Sequence, residues 1–68
     1  MENNLLSKEA AEQRNFVAAE AMIRYGGSFA ACIGRAYMLA DSGNKDRLLS
    51  AFDDMFAKYA RLATGSDE

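Results

Sequence analysis

Arg24-Tyr25-Gly26-Gly27-Ser28-Phe29 is the one stretch whose residue types and spacing could build a ligand site, with Arg35 following two helical turns later. A helix starting just after the two glycines would present unpaired backbone N–H groups and the positive end of its dipole, which together bind anions. Gly26 and Gly27 put no Cβ atoms in the way of a ligand approaching the backbone. The Ser28 hydroxyl can donate to a phosphate oxygen, Arg24 and Arg35 supply cations, and Tyr25 and Phe29 offer rings for a base to stack on. Phosphate, cation and aromatic together describe a small nucleotide pocket. The stretch is not a P-loop, because no Lys-Ser/Thr pair follows the second glycine. The same residues also satisfy a plain helix junction, with Gly26 taking the left-handed position past one helix and Ser28 capping the next. That is the commoner use of a glycine-containing turn, and under it Phe29 is core and Arg24 a surface residue.

Elsewhere the sequence argues against catalysis. It contains no histidine, which removes Ser-His and Cys-His nucleophile pairs and the commonest general base near neutral pH. Cys32 is the only cysteine, so no intrachain disulfide can form, and it lacks the partners of a usual structural zinc site. With no basic neighbour in sequence to activate it, Cys32 is expected in the core. Asp53 and Asp54 are adjacent, so on a helix they point about 100° apart and do not face each other. They read as a solvated face, with Asp54 set to pair with Lys58 at i+4. No catalytic residue, metal ligand or cofactor is expected, and the chain is expected not to be an enzyme.

The chain has 68 residues, room for a single domain 1–68 that buries a small share of its surface alone. Half of the residues are hydrophobic, and without a disulfide or metal the remaining route to stability is a partner subunit. A homo-oligomer is therefore expected. Eight basic against ten acidic residues make a poor grip on long nucleic acid, where affinity rests on neutralising many phosphates. No basic leader, apolar signal segment or membrane-length run stands out, so the expectation is a cytoplasmic chain with Cys32 reduced and no membrane partner.

The elements that would hold the turn follow from the glycine breaks at Gly26-Gly27 and Ser42-Gly43-Asn44. An all-α fold is expected, a compact three-helix domain with helices over about 7–25, 29–40 and 45–63 and a frayed polar tail at 64–68. Ser7 is the expected first cap, Ser28 the second and Asn44 the third. Ala18, Ala19 and Ala21 would let another helix come close, beside a face of Phe16, Ala19, Met22 and Ile23. The second helix carries two apolar surfaces. One is Phe29, Ile33, Ala36 and Ala40, widened by Cys32 and Leu39, and the other is Ala30, Ala31, Gly34 and Tyr37. A short helix apolar on most sides is central in the fold or shared with a partner chain. Gly34 costs about 1 kcal/mol against Ala in a helix interior, so tight packing is expected there. In the third helix Leu48, Phe52, Met55, Tyr59 and Leu62 form one continuous stripe.

Tyr25-Gly26-Gly27-Ser28-Phe29, Gly34-Arg35-Ala36, Ala40-Asp41, Asn44, Arg47-Leu48, Ala51-Phe52 and Tyr59 together resemble a group of small proteins of tailed phages and prophages that carries no settled activity. The resemblance covers about Ile23 to Tyr59. In that group a proline often follows the phenylalanine at the Phe52 position and a tryptophan often stands at the Phe56 position; here Asp53 and Phe56 occupy these places. The resemblance implies a phage accessory protein of the host cell cytoplasm that acts by binding, with counter-defence as the expected role. Two mechanisms suit such a chain. An oligomer could sequester a small nucleotide immune signal without cleaving it, as phage sponge proteins do. Alternatively, the chain could cover the surface of a host defence protein, as anti-CRISPR proteins do, or serve as a structural or assembly helper. The turn with Arg24, Ser28 and Arg35 favours the sponge.

Overall fold

A computed structural model describes the chain from residue 2 to 65, with side chains described from Lys8 to Gly65. The described residues form four helices and no strand: α1 (Glu2–Tyr25), α2 (Gly27–Leu39), α3 (Ser42–Ala51) and α4 (Asp53–Thr64). The all-α class holds, and the helix count is four rather than three.

α1 is the floor of the molecule, with α2 and α4 both lying on it and α3 bridging them at the side. The arrangement is a slab of 40 × 31 × 16 Å. The expected alanines make it possible. Ala18, Ala19, Ala21 and Met22 of α1 are buried against Ala30 of α2 and Phe56, Tyr59 and Ala60 of α4. Small side chains on α1 bring its neighbours close, and Met22, fully buried, fills the space left between them. Gly34 marks the tightest point. A Cβ there would stand 2.6 Å from the Ala19 carbonyl oxygen and 3.0 Å from Ile23 Cγ1. α2 thus rests backbone to backbone on α1, which accounts for a glycine in mid-helix.

Each expected cap is displaced for a local reason. α1 already runs from Glu2, so Ser7 stands inside it rather than at its start. Gly26 keeps an ordinary negative φ of −89°, and Gly27 takes the left-handed conformation at φ +78°. α2 consequently begins at Gly27, with Ser28 inside its first turn and no side-chain cap at its N-terminus. Asp41, not Asn44, caps α3: its Oδ1 accepts the Asn44 backbone N–H at 2.9 Å. Ser42-Gly43 therefore belongs to the helix and is not the break before it. Gly65 closes α4 in the left-handed conformation, and the remainder of the expected tail, 66–68, lies outside the described residues.

The single helix expected over 45–63 is two helices joined at Phe52, whose backbone leaves the helical region at φ −124° and ψ 37°. The Phe52 amide still donates to Leu48 and its carbonyl still accepts from Phe56. The axis turns at this one residue, which closes α3 with its amide and opens α4 with its carbonyl. The turn lets the Phe52 ring meet Phe29 edge-on at 5.9 Å, while Phe56 packs on Tyr37 at 5.2 Å.

Candidate functional site

The end of α1 and the start of α2 place the sequence-derived ligand residues at one corner of the slab. Arg24, Tyr25, Gly27, Ser28 and Phe29 are exposed, Gly26 is half-buried, and Arg35 is exposed farther along α2. No acidic residue stands in the first turn of α2, so its N–H groups and dipole end are unopposed there. Neither Arg24 nor Arg35 makes an ion pair with a described residue. A Cβ placed on Gly27 would meet nothing within 4 Å, so the backbone at the turn is open to solvent. Phe29 is partly engaged, through its edge contact with Phe52, yet remains 62% exposed.

The three grooves described below are lined by no residue of the turn and not by Arg35. A ligand held at the corner of one chain would keep much of its own surface in water. Enclosing it takes a second surface.

The grooves reveal side chains that sequence spacing did not connect. One of about 520 Å³ runs between α1 and α4, with Leu49, Phe56 and Ala60 on its walls and Arg14, Asp53 and Arg61 at its rim. Arg14 and Arg61 are far apart in sequence, so no motif could announce them. A second, of about 490 Å³, lies between α2 and α3 and is lined by Ala36, Leu39, Ala40, Leu48 and Ala51, with Asn44 and Arg47 at its edge. The third holds Tyr37 among Glu9, Glu12 and Lys45. Burial, with the nearby Glu12 and Asp46 carboxylates, pushes the Tyr37 phenol above its ordinary value of 10.0. The phenol thus stays protonated, a hydrogen-bond donor rather than a base. Lys45 Nζ sits 5.1 Å from the centre of the Tyr37 ring and covers its outer face.

Two further expectations are corrected. Cys32 is exposed, not core. Lys58 does not pair with Asp54; its Nζ lies 5.4 Å from the centre of the Tyr59 ring, a contact that also covers apolar surface. Among the described residues no group of three or more Cys, Asp or Glu side chains could hold a metal ion. No described helix is long and apolar enough to cross a membrane.

The two apolar surfaces of α2 differ in burial. Its buried face is Ala30, Gly34 and Tyr37. On the other stripe Phe29, Cys32, Ala36 and Leu39 are exposed, Leu39 by 87%, while Ile33 and Ala40 are half-buried and Ile33 packs against the core. Comparison with known protein families, curated proteins and solved structures finds no match to this chain.

Proposed function

We propose that this chain is a non-catalytic binding protein that holds a small nucleotide at the start of α2 and keeps it intact, as a phage counter-defence sponge in the host cytoplasm would. The observation that carries the reading is the state of the α2 N-terminus. It has no side-chain cap and no acidic residue in its first turn, and exposed Arg24, Tyr25 and Phe29 flank it. Free amides, a cation and two rings offer what phosphate and base need. The phage origin and the counter-defence role rest on the resemblance of Ile23 to Tyr59 alone.

Oligomerisation is part of the reading, because the turn's exposed residues on one chain leave a ligand largely in water and a second surface would enclose it. Native mass spectrometry with a panel of cyclic oligonucleotides and ADP-ribose derivatives tests it. A defined number of one nucleotide taken up and released unchanged supports the sponge. Arg24→Ala and Arg35→Ala should each abolish uptake, and normal binding by both variants would remove the site assignment.

A second reading has its own observation. The outward apolar face of α2 is the kind of surface that covers a partner protein, as an inhibitor of a host defence complex would. It predicts a stable complex with a host protein and no affinity for any nucleotide in the panel.

A further inference from the structure

We propose that the groove between α1 and α4 binds a small aliphatic carboxylate, with Arg14 and Arg61 on its head group and Leu49, Phe56 and Ala60 along its chain. Two rows of α4 build the groove. Phe56 and Ala60, four residues apart, are buried and form its floor. Asp53, Ala57 and Arg61, at the same spacing, are exposed and form its rim. Ala57 is the gap in that rim: between two charged residues it carries no side chain long enough to close the groove. The volume of about 520 Å³ lies in the range of about 300–1,000 Å³ usual for small-molecule sites, which are also apolar within and polar at a few points.

The charges at the rim choose the head group. Arg14 lines the groove from α1 and Arg61 from α4, and neither makes an ion pair with a described residue. Their own helices offer them none. Ala10, Ala11, Val17 and Ala18 stand three or four residues from Arg14, and Ala57, Lys58, Thr64 and Gly65 stand so from Arg61, so no carboxylate is at pairing distance. In a chain with ten acidic residues to eight basic, two such arginines at one groove are a local excess of positive charge. Asp53, the acidic residue of the lining, precedes Arg61 by eight residues, about 12 Å along the helix axis. A guanidinium fork matches a carboxylate, and half-buried Asn15 beside Arg14 adds an amide donor.

The floor chooses the rest of the ligand. Phe56 carries the ring of the lining, and it is 3% exposed and already packed on Tyr37. It gives a nucleobase no face to stack on. What the groove leaves open is a strip of Leu49, Ala57 and Ala60, which a saturated chain covers and so leaves water. The site is therefore separate from the start of α2, whose residues do not line it, and it does not rest on the nucleotide reading.

Titration of the isotope-labelled full chain with octanoate, followed through its backbone amide shifts, tests the assignment. Saturable shifts should gather at Arg14, Asn15 and Phe56 to Arg61, while the amides of Arg24 to Phe29 stay in place, so this site and the nucleotide site are read separately. Octanol keeps the chain without the charge and acetate the charge with almost no chain. Each should bind at least about tenfold more weakly, and Arg61→Gln should lose about as much, the size of one hydrogen bond to a charged group. Ala57→Leu, at an exposed position, fills the gap in the rim without touching a charge. It should abolish binding with an unchanged helical spectrum. Octanoate that shifts no amide, saturable shifts centred elsewhere, octanol that binds equally well, or full affinity in either variant would each overturn the proposal.

Discussion

The two faces of α2 are both apolar, and only one is inside. The inward face is Ala30, Gly34 and Tyr37; the outward face is Phe29, Cys32, Ala36 and Leu39. Hydrophobicity would rank the outward face first, since it carries two large side chains. Size decides otherwise. Against α1, whose buried face is mostly alanine, the helix that can come closest is the one presenting Gly34 and Ala30. Close approach of two backbones gains dispersion contacts along the whole crossing, which a bulky face would forfeit. Tyr37 is the exception on the inward side, and it lies at the far end, where Phe56 of α4 receives its ring. Apolar content says a face wants cover. The size of its side chains says what can cover it.

The strongest way to break the contrast is truncation of one large side chain on each face. Tyr37→Ala, on the inward side, should cost about 3–5 kcal/mol, in the range for a buried aromatic. Leu39→Ala, on the outward side, should change the stability of a single chain by no more than about 0.5 kcal/mol. Urea denaturation of both variants, at a concentration low enough to keep the chain monomeric, makes the comparison. Equal losses would mean that α2 is rotated from the orientation described.

Gly34→Ala sharpens the same point. Alanine should gain about 1 kcal/mol from helix propensity. Its Cβ would meet the Ala19 carbonyl oxygen at 2.6 Å, and a backbone atom cannot step aside as a side chain could. Overpacking of this kind costs about 1–3 kcal/mol, so thermal melting should show a net loss. A gain would mean the helices have room between them.

A smaller effect comes from Tyr37 at high pH. Its phenol titrates above 10.0 in the folded chain because burial, Glu12 and Asp46 all disfavour the phenolate. The folded state therefore holds that proton more tightly than the unfolded state does. This contribution is fully present below pH 10 and is lost as the pH rises through the folded value. Denaturant midpoints followed into the alkaline range should fall for the wild type and fall less for Tyr37→Phe. Identical profiles would place Tyr37 in solvent. Smallest on stability is Arg24→Ala, which should leave the melting transition within about 0.5 kcal/mol of wild type because the side chain is exposed. Under the proposed function its effect falls on ligand uptake.

Much of the fold was legible because the decisive residues announce themselves locally. The alanines of α1, the costly glycine at 34 and the break at Gly26-Gly27 led directly to close helix packing and to the order of the first two helices. What escaped was the choice between equivalent local options. Phe52 keeps the same three-and-four spacing as its neighbours, so periodicity ran through the bend. Asp53-Asp54 is the acidic first turn of a new helix, a signal masked by the unbroken stripe. Asp41 and Asn44 are both good caps, and only the three-dimensional path of the chain selects Asp41. The candidate site was legible as a set of residues and not as a shape. Sequence brought Arg24 to Phe29 together, but nothing in it told how exposed they would stand or that Arg35 would lie farther along α2.

The most direct measurement is the rate at which a thiol reagent labels Cys32 in the native chain, followed as a function of protein concentration. Cys32 lies at the centre of the outward face. With α2 oriented as described, labelling at high dilution should be as fast as in the unfolded chain, and slowing as the concentration rises would mark this face as one that self-association covers. Protection at every dilution would place Cys32 inside the monomer and contradict the two-faced helix.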